Sequence, residues 1–206
     1  LLTVVGERIQ AELRGISCLP FVDAPADRKS VACTRSFGRP ITSWHEMREA
    51  IATYAARAAE KLRQQGLQAG HIAVFLHTNP HAKGEPWHSG QKAAYIEATN
   101  ETIALITQAV RMLKPLWREG YRYAKAGVML NDLEPVFQRP KSLFTGLSDE
   151  RSKLLMPAMD AINARYGRNT ISPLAIGIAR PWIARSQRLS RQFTTKLQDV
   201  LVAQAW

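Results

Sequence analysis

Residues 42–66, "TSWHEMREAIATYAARAAEKLRQQG", constrain the fold of this chain more than any other stretch. Apolar residues recur there every three to four positions: Met47, Ile51, Ala55, Ala58 and Leu62. This spacing predicts a long amphipathic helix with one apolar stripe. Ser43 with Glu46 three residues later fits a capping box, and Gly66 fits a C-cap. Such a helix must lie on another layer of structure, which the flanking segments have to provide.

Four flanking segments have the composition of β-strands. Residues 29–37, "KSVACTRSF", alternate in polarity, and residues 71–78, "HIAVFLHT", are apolar and β-branched. Residues 91–98, "QKAAYIEA", and residues 122–130, "RYAKAGVML", are predicted as the third and fourth strands. The Gly- and Pro-containing stretch between the second and third strands is typical of a hairpin loop.

A second helix is predicted from about Glu101 to Gly120, with Pro115 distorting its last turn. Its apolar face comprises Ile103, Ile106, Val110, Leu113 and Trp117. The order strand–helix–strand–strand–helix–strand predicts an α+β fold, a split βαβ sandwich with both helices on one face of the sheet. The other face is then free for binding, although a fold alone names no function.

The sequence divides into four parts. A short helix over residues 4–14 belongs to a tether, residues 1–28, and the sandwich takes residues 29–133. A linker over residues 134–151 leads to a small, mostly helical extension, residues 152–206. Because the chain lacks a starting Met and opens within a pattern, we expect it to be a fragment of a longer protein.

The net charge of the chain indicates which class of ligand it binds. The chain has 28 Lys and Arg against 17 Asp and Glu, a net charge of +11 and a pI near 10.1. This balance indicates a polyanion binder, most often of nucleic acid. No apolar run approaches the ~18 residues of a transmembrane helix, so no membrane partner is expected. Cys18 and Cys33 form no CxxC pattern, and no signal peptide is recognisable, which favours the cytoplasm.

Evidence for an enzymatic or metal site is weak. His77, His81 and His88 crowd one loop, but their spacing matches no established zinc pattern, so surface histidines are the favoured interpretation. No nucleophile–base pair or phosphate-cradling Gly loop is present. A stand-alone RNA-binding sandwich is disfavoured because the strands lack the aromatic-rich signatures of RNA recognition modules.

Several motifs resemble one family when taken in order. "ERIQAELRG", "TRSFG", "IATYAARAAEKLR" and "YAKAGVML" are followed by "AMDAINARYGRNT" and "LSRQFTT". Together they resemble the C-terminal part of UmuC-type Y-family translesion DNA polymerases: end of thumb, little finger, clamp-binding linker and a domain of unknown function. The resemblance implies error-prone synthesis in SOS repair and mutagenesis. In that family the catalytic carboxylates and their magnesium ions lie in the palm, so this chain is expected to be non-catalytic and to hold no cofactor.

The resemblance also implies a DNA-binding surface. The little finger lays its sheet along the duplex and contacts mainly phosphates, which position a protein without reading sequence. The candidate residues are Arg35, Ser36, Gly38, Arg39, Lys92, Arg122 and Lys125. By strand alternation Arg35 shares a face with Cys33 and Phe37, so it could lie on the helix side instead. The alternative for each residue alone is a solvated surface position.

Residues 140–144, "PKSLF", fall where the family carries its peptide for the sliding clamp, of pattern Gln–Leu–polar–Leu–Phe. Ser142, Leu143 and Phe144 match the pattern, whereas Pro140 and Lys141 depart from it. The alternative is that Leu143 and Phe144 fold back onto the sandwich.

Partners implied by the resemblance are damaged primer–template DNA, the sliding clamp, an accessory UmuD-like dimer and a recombinase filament. The rival hypothesis is a protein-docking module whose basic tail binds either the accessory dimer or the recombinase filament. That tail contains Arg180, Arg185, Arg188 and Arg191.

Overall fold

The computed structural model describes residues 3–19, 28–136, 148–184 and 189–202. Its main elements are α1 (Val4–Leu13), β1 (Ser30–Ile41), α2 (Trp44–Gln64), β2 (Leu67–Thr78), β3 (Ser89–Thr99), α3 (Thr102–Leu113), β4 (Tyr123–Pro135) and α4 (Ser148–Tyr166). Two short 3-10 turns follow at Leu174–Ile176 and Leu197–Asp199. The α+β class and the predicted order of strands and helices are confirmed.

The four strands form one antiparallel sheet in the order β1-β4-β2-β3. Because β4 runs antiparallel to both β1 and β2, the two strands joined by α2 are parallel to each other with β4 between them. This is the predicted split βαβ arrangement. The edges of the sheet are β1 and β3.

The core lies between the sheet and the helices α2 and α3. All five residues of the predicted stripe on α2 are fully buried, and they pack with Ile72, Val74 and Leu76 of β2 and with Val128 and Leu130 of β4. Burial on α2 is wider than a stripe, however, because Ala52, Thr53, Tyr54 and Ala59 are buried as well. A second layer therefore covers the outer side of this helix.

That second layer is the segment 154–184, here called the strap. Asp160 of α4 forms an ion pair with Arg63 of α2, and the carbonyl of Ile176 accepts a 3.5 Å hydrogen bond from Thr53 Oγ1. Trp182 is 2% exposed and packs edge-to-face on Tyr54, with ring centroids 5.8 Å apart. The C-terminal extension thus packs on the sandwich through the strap.

Local predictions are wrong at the ends of several elements, and β2 begins at Leu67 rather than at residue 71. The helix α3 ends at Leu113, so Trp117 lies beyond it and packs on Trp44 and Tyr123. Ser43 occupies the N-cap position of α2 but makes no side-chain capping bond. The strand β1 runs on to Ile41, because Ile41 pairs with Tyr123 beyond a bulge. In the described parts of the chain, no helix combines the length and apolarity that crossing a membrane requires.

Candidate nucleic-acid interface

The sheet face turned away from α2 and α3 includes four complete cross-strand rows, here called the open face, and the exposed Glu97 of β3 lies just beyond them on the same side of the sheet. In the order β1–β4–β2–β3 these rows are Ser30–Asn131–His71–Tyr95, Ala32–Met129–Ala73–Ala93, Thr34–Gly127–Phe75–Gln91 and Ser36–Lys125–His77–Ser89. The intervening residues of each strand point to the helices, as Val74 and Leu130 show by their complete burial.

The chemistry of the open face is polar and aromatic, with a positive end. Its sixteen positions include no Asp or Glu, two His and one Lys, Lys125. His77, beside Lys125, hydrogen-bonds Ser89 Oγ over 2.7 Å. Burial, and secondarily the charge of Lys125, lower the pKa of His77 below its ordinary value. At neutral pH Lys125 is therefore the main cation of the face.

Of the seven residues predicted to bind DNA, Ser36 and Lys125 are brought together as direct cross-strand neighbours on the open face. Both side chains are exposed. Arg35 pairs with the buried Ala126 and so lies on the helix side, the alternative that strand alternation had left open. Burial raises the pKa of the nearby Cys33 thiol, and the charge of Arg35 is one of several that partly offset this effect.

Gly38 and Arg39 lie where β1 meets the strap. The Gly38 amide donates a 3.0 Å hydrogen bond to the carbonyl of Trp182, and a Cβ at Gly38 would come within 2.5 Å of the Ile183 carbonyl oxygen. The close backbone approach that glycine permits is thus used here by the strap. Arg39 Nη2 lies 2.5 Å from Glu46 Oε1 in a half-exposed ion pair.

Lys92 and Arg122 are not among the sixteen positions of the open face. Lys92 pairs with the core residue Val74, which places it on the helix-bearing side of the edge strand β3, where it is exposed. Arg122 Nε forms a 2.8 Å ion pair with Glu85. The DNA-binding roles of all seven residues stay predictions. The predicted clamp residues Pro140, Lys141, Ser142, Leu143 and Phe144 lie outside the described residues.

Sequence reasoning missed the aromatic residues of the open face. Tyr95 is 82% exposed, and its ring centroid lies 5.0 Å from that of His71. Phe75 fills the space above Gly127, where a Cβ would come within 2.8 Å of its ring. The signal was available, because residues 71, 75 and 77 alternate with the core residues of β2, and the hairpin pairs Tyr95 with His71.

The three crowded histidines occupy different environments. His77 lies on the open face, His81 is exposed in the loop, and His88 is 8% exposed with its Nδ1 3.1 Å from the Tyr123 hydroxyl. Burial, and secondarily Arg118, lower the pKa of His88. Among the described residues, no group of three or more His, Cys, Asp or Glu side chains is placed to hold a metal ion.

Comparison with known proteins identifies the family of this two-layer domain. Residues 28–143 match the model of the impB/mucB/samB family C-terminal domain, and residues 153–203 match a domain of unknown function (DUF4113). The first match covers more than half of the chain. The chain therefore belongs to the impB/mucB/samB family, and the resemblance to the C-terminal part of UmuC-type proteins is confirmed.

Individual relatives agree with this assignment. The chain is 40% identical over 202 residues to protein SamB of Salmonella typhimurium, an alignment that covers 97% of this chain and 47% of SamB. It is 36% identical over 200 residues to protein UmuC of Salmonella typhimurium strain LT2, covering 96% and 47% of the two chains. The chain thus spans about half the length of the curated relatives it matches.

Proposed function

We propose that this chain is the non-catalytic DNA-binding region of an error-prone translesion DNA polymerase. Its open face contacts the phosphates of primer–template DNA, with Lys125 and Ser36 as the first contacts. The observation that carries the proposal is a block of sixteen paired positions on this side of the sheet without one carboxylate, in a chain of net charge +11. Membership of the impB/mucB/samB family supports the polymerase context.

The contacts available on this face suit sequence-independent binding. The ammonium of Lys125 attracts a phosphate from any direction, and the Ser36 hydroxyl can donate a hydrogen bond to the same group. Phosphate contacts fix the position of a duplex without reading its bases. A polymerase that copies damaged template benefits from this mode, because a damaged base offers no reliable edge to read.

The proposal also includes the cellular location, the repair pathway and the partners of the protein. We place it in the cytoplasm in SOS repair and mutagenesis, with magnesium held by a palm domain upstream. Residues 140–144 dock the sliding clamp, and an accessory UmuD-like dimer and a recombinase filament are further partners.

A protein-docking module is the second candidate, and one observation favours it. Leu174 and Ile178, four residues apart in the strap, are 88% and 94% exposed, and exposed apolar side chains of this kind can anchor a protein partner. Docking through such residues is insensitive to salt, whereas phosphate binding weakens steeply as salt rises.

Fluorescence anisotropy of a labelled primer–template duplex across a salt series tests the main proposal. If about six phosphates are engaged, log affinity falls against log salt with a slope of roughly −5. Lys125→Ala should weaken binding to every sequence and reduce that slope by about 1. Lys114→Ala is the matched control, because Lys114 is an exposed lysine just after α3 in the helical layer.

The results separate the two candidates. Salt-insensitive binding, or no binding at low salt, would refute the DNA proposal. Equal losses from Lys125→Ala and Lys114→Ala would show that the open face is not the binding surface.

A further inference from the structure

Tyr95 and His71 form an aromatic pair at the end of the open face opposite Lys125. Asn131 Nδ2 lies 3.1 Å from His71 Nδ1 and holds the imidazole ring in place. The imidazole packs on Tyr95 at an interplanar angle of 65°, yet Tyr95 remains 82% exposed. His71 therefore fixes the tyrosine while leaving most of its ring available to a ligand.

We infer that this pair is a stacking site for unpaired nucleotides of DNA. The inference rests on the proposed DNA-binding function and adds a second ligand class to the same face. Every base has a π-face, so stacking on an aromatic side chain tolerates any sequence, including a damaged one. Duplex phosphates bind at the Lys125 end, and the single strand that continues from the duplex lies over Tyr95.

The dimensions of the sheet agree with this division. Lys125 and His77 lie three rows from His71 and Tyr95, which is six residues along a strand and about 20 Å. That length corresponds to roughly six nucleotide steps of 3.4 Å. One face can therefore contact the end of a duplex and its overhang together.

Charge favours nucleic acid as the occupant of this aromatic end. None of the sixteen open-face positions is acidic, so nothing within the four rows repels a phosphate backbone. The nearest acidic residue along β3 is Glu97, which lies on the same side of the sheet two positions beyond Tyr95, in the direction away from Lys125. The backbone of a stacked nucleotide is thus directed towards the Lys125 side.

The test compares three labelled DNAs in the same anisotropy assay: a blunt duplex, that duplex with a 5′ overhang of about ten nucleotides, and that duplex with an abasic overhang of equal length. The abasic strand keeps the phosphates and removes only the bases. The 206-residue chain should bind the overhang with bases roughly tenfold more tightly than the abasic one. Tyr95→Ala should abolish this preference, Tyr95→Phe should keep it, and neither should alter binding to the blunt duplex.

Tyr166→Ala is the matched control, because Tyr166 is a 65% exposed tyrosine at the end of α4. Salt-dependent binding of the blunt duplex with equal affinity for both overhangs overturns the stacking inference and leaves the proposed function standing. Equal effects of Tyr95→Ala and Tyr166→Ala also overturn it. Absence of binding to all three DNAs overturns both proposals. Because Tyr95 is exposed, its variants should keep the thermal midpoint of the original chain, which establishes that they are folded.

Discussion

The ion pair between Arg63 and Asp160 is expected to be a principal attachment of the strap to the sandwich. Arg63 Nε and Nη2 approach the two carboxylate oxygens of Asp160 over 2.6 and 2.8 Å, a bidentate geometry. Arg63 Nη1 also donates to the Asn100 carbonyl and to Thr102 Oγ1. The side chain of Arg63 is only 10% exposed, so removal of its carboxylate partner leaves a buried charge poorly compensated.

The expected cost of Asp160→Asn follows from these exposures. Breaking a fully buried pair costs about 3–5 kcal/mol. Asp160 is 31% exposed, so water replaces part of the lost interaction, and we expect a loss of about 2 kcal/mol. For a chain of this size that lowers the thermal midpoint by about 4–8 °C. Arg63→Met should cost more, because it also removes the bonds to Asn100 and Thr102.

A double-mutant cycle with urea denaturation measures the coupling directly. Far-UV circular dichroism should report the whole fold, and tryptophan fluorescence should combine signals from Trp182 in the strap and from Trp44 and Trp117 in the sandwich. The exposed pair Arg39–Glu46 is the control, since its side chains are 46% and 21% exposed and its coupling should be about 0.2–1 kcal/mol. If the coupling between Arg63 and Asp160 does not exceed that of the control pair, the ion pair does not fasten the strap.

Two further predictions concern the sheet and its acid sensitivity. In Gly127→Ala the new Cβ would lie 2.5 Å from Thr34 Cγ2 and 2.8 Å from the Phe75 ring, so urea denaturation should show a loss of about 1–3 kcal/mol. Combining Thr34→Ala with Gly127→Ala should restore part of the lost stability. Unchanged stability of Gly127→Ala alone would contradict the close contact. Burial lowers the pKa of His88 in the folded state. As the pH falls, the imidazole of His88 is therefore protonated in the unfolded chain before it is protonated in the folded one. Stability should then fall as the pH drops through the ordinary histidine range near 6.5. The variant His88→Gln should show a shallower fall between pH 7 and 5 than the exposed-residue control His81→Gln, and equal slopes would count against a buried neutral His88.

Much of the fold could be predicted from local patterns. The three-to-four spacing on α2 and the alternation of β1 and β4 each report which residues face the core, and these periods do not depend on distant parts of the chain. The complete burial of the five-residue stripe on α2 shows how strong that signal is. The burial of Thr53 and Tyr54 on the outer side of α2 could not be predicted, because the covering residues Ile176 and Trp182 come from more than a hundred positions later in the chain.

The candidate site was less predictable, because it depends on register. Arg35 and Ser36 are adjacent in sequence, yet pairing with Ala126 and Lys125 sends them to opposite faces of the sheet. Composition alone could not show which of these two residues lies on the open face. Gly38 shows a different limit of prediction from sequence. A glycine at this position is equally compatible with a phosphate contact and with a close contact to another part of the chain. Only the structure shows that its amide donates to the Trp182 carbonyl.

The strap has a consequence for how the protein is made. Ile176 contacts Thr53 across 123 residues of sequence, and Asp160 contacts Arg63 across 97. A ribosome delivers the chain from its N-terminus, so the sandwich can fold while the outer side of α2, including Tyr54, still lacks its cover. Each newly synthesised molecule therefore passes through a stage that exposes apolar surface. A chain terminated before the strap would remain at that stage, exposed to aggregation and to cellular quality control.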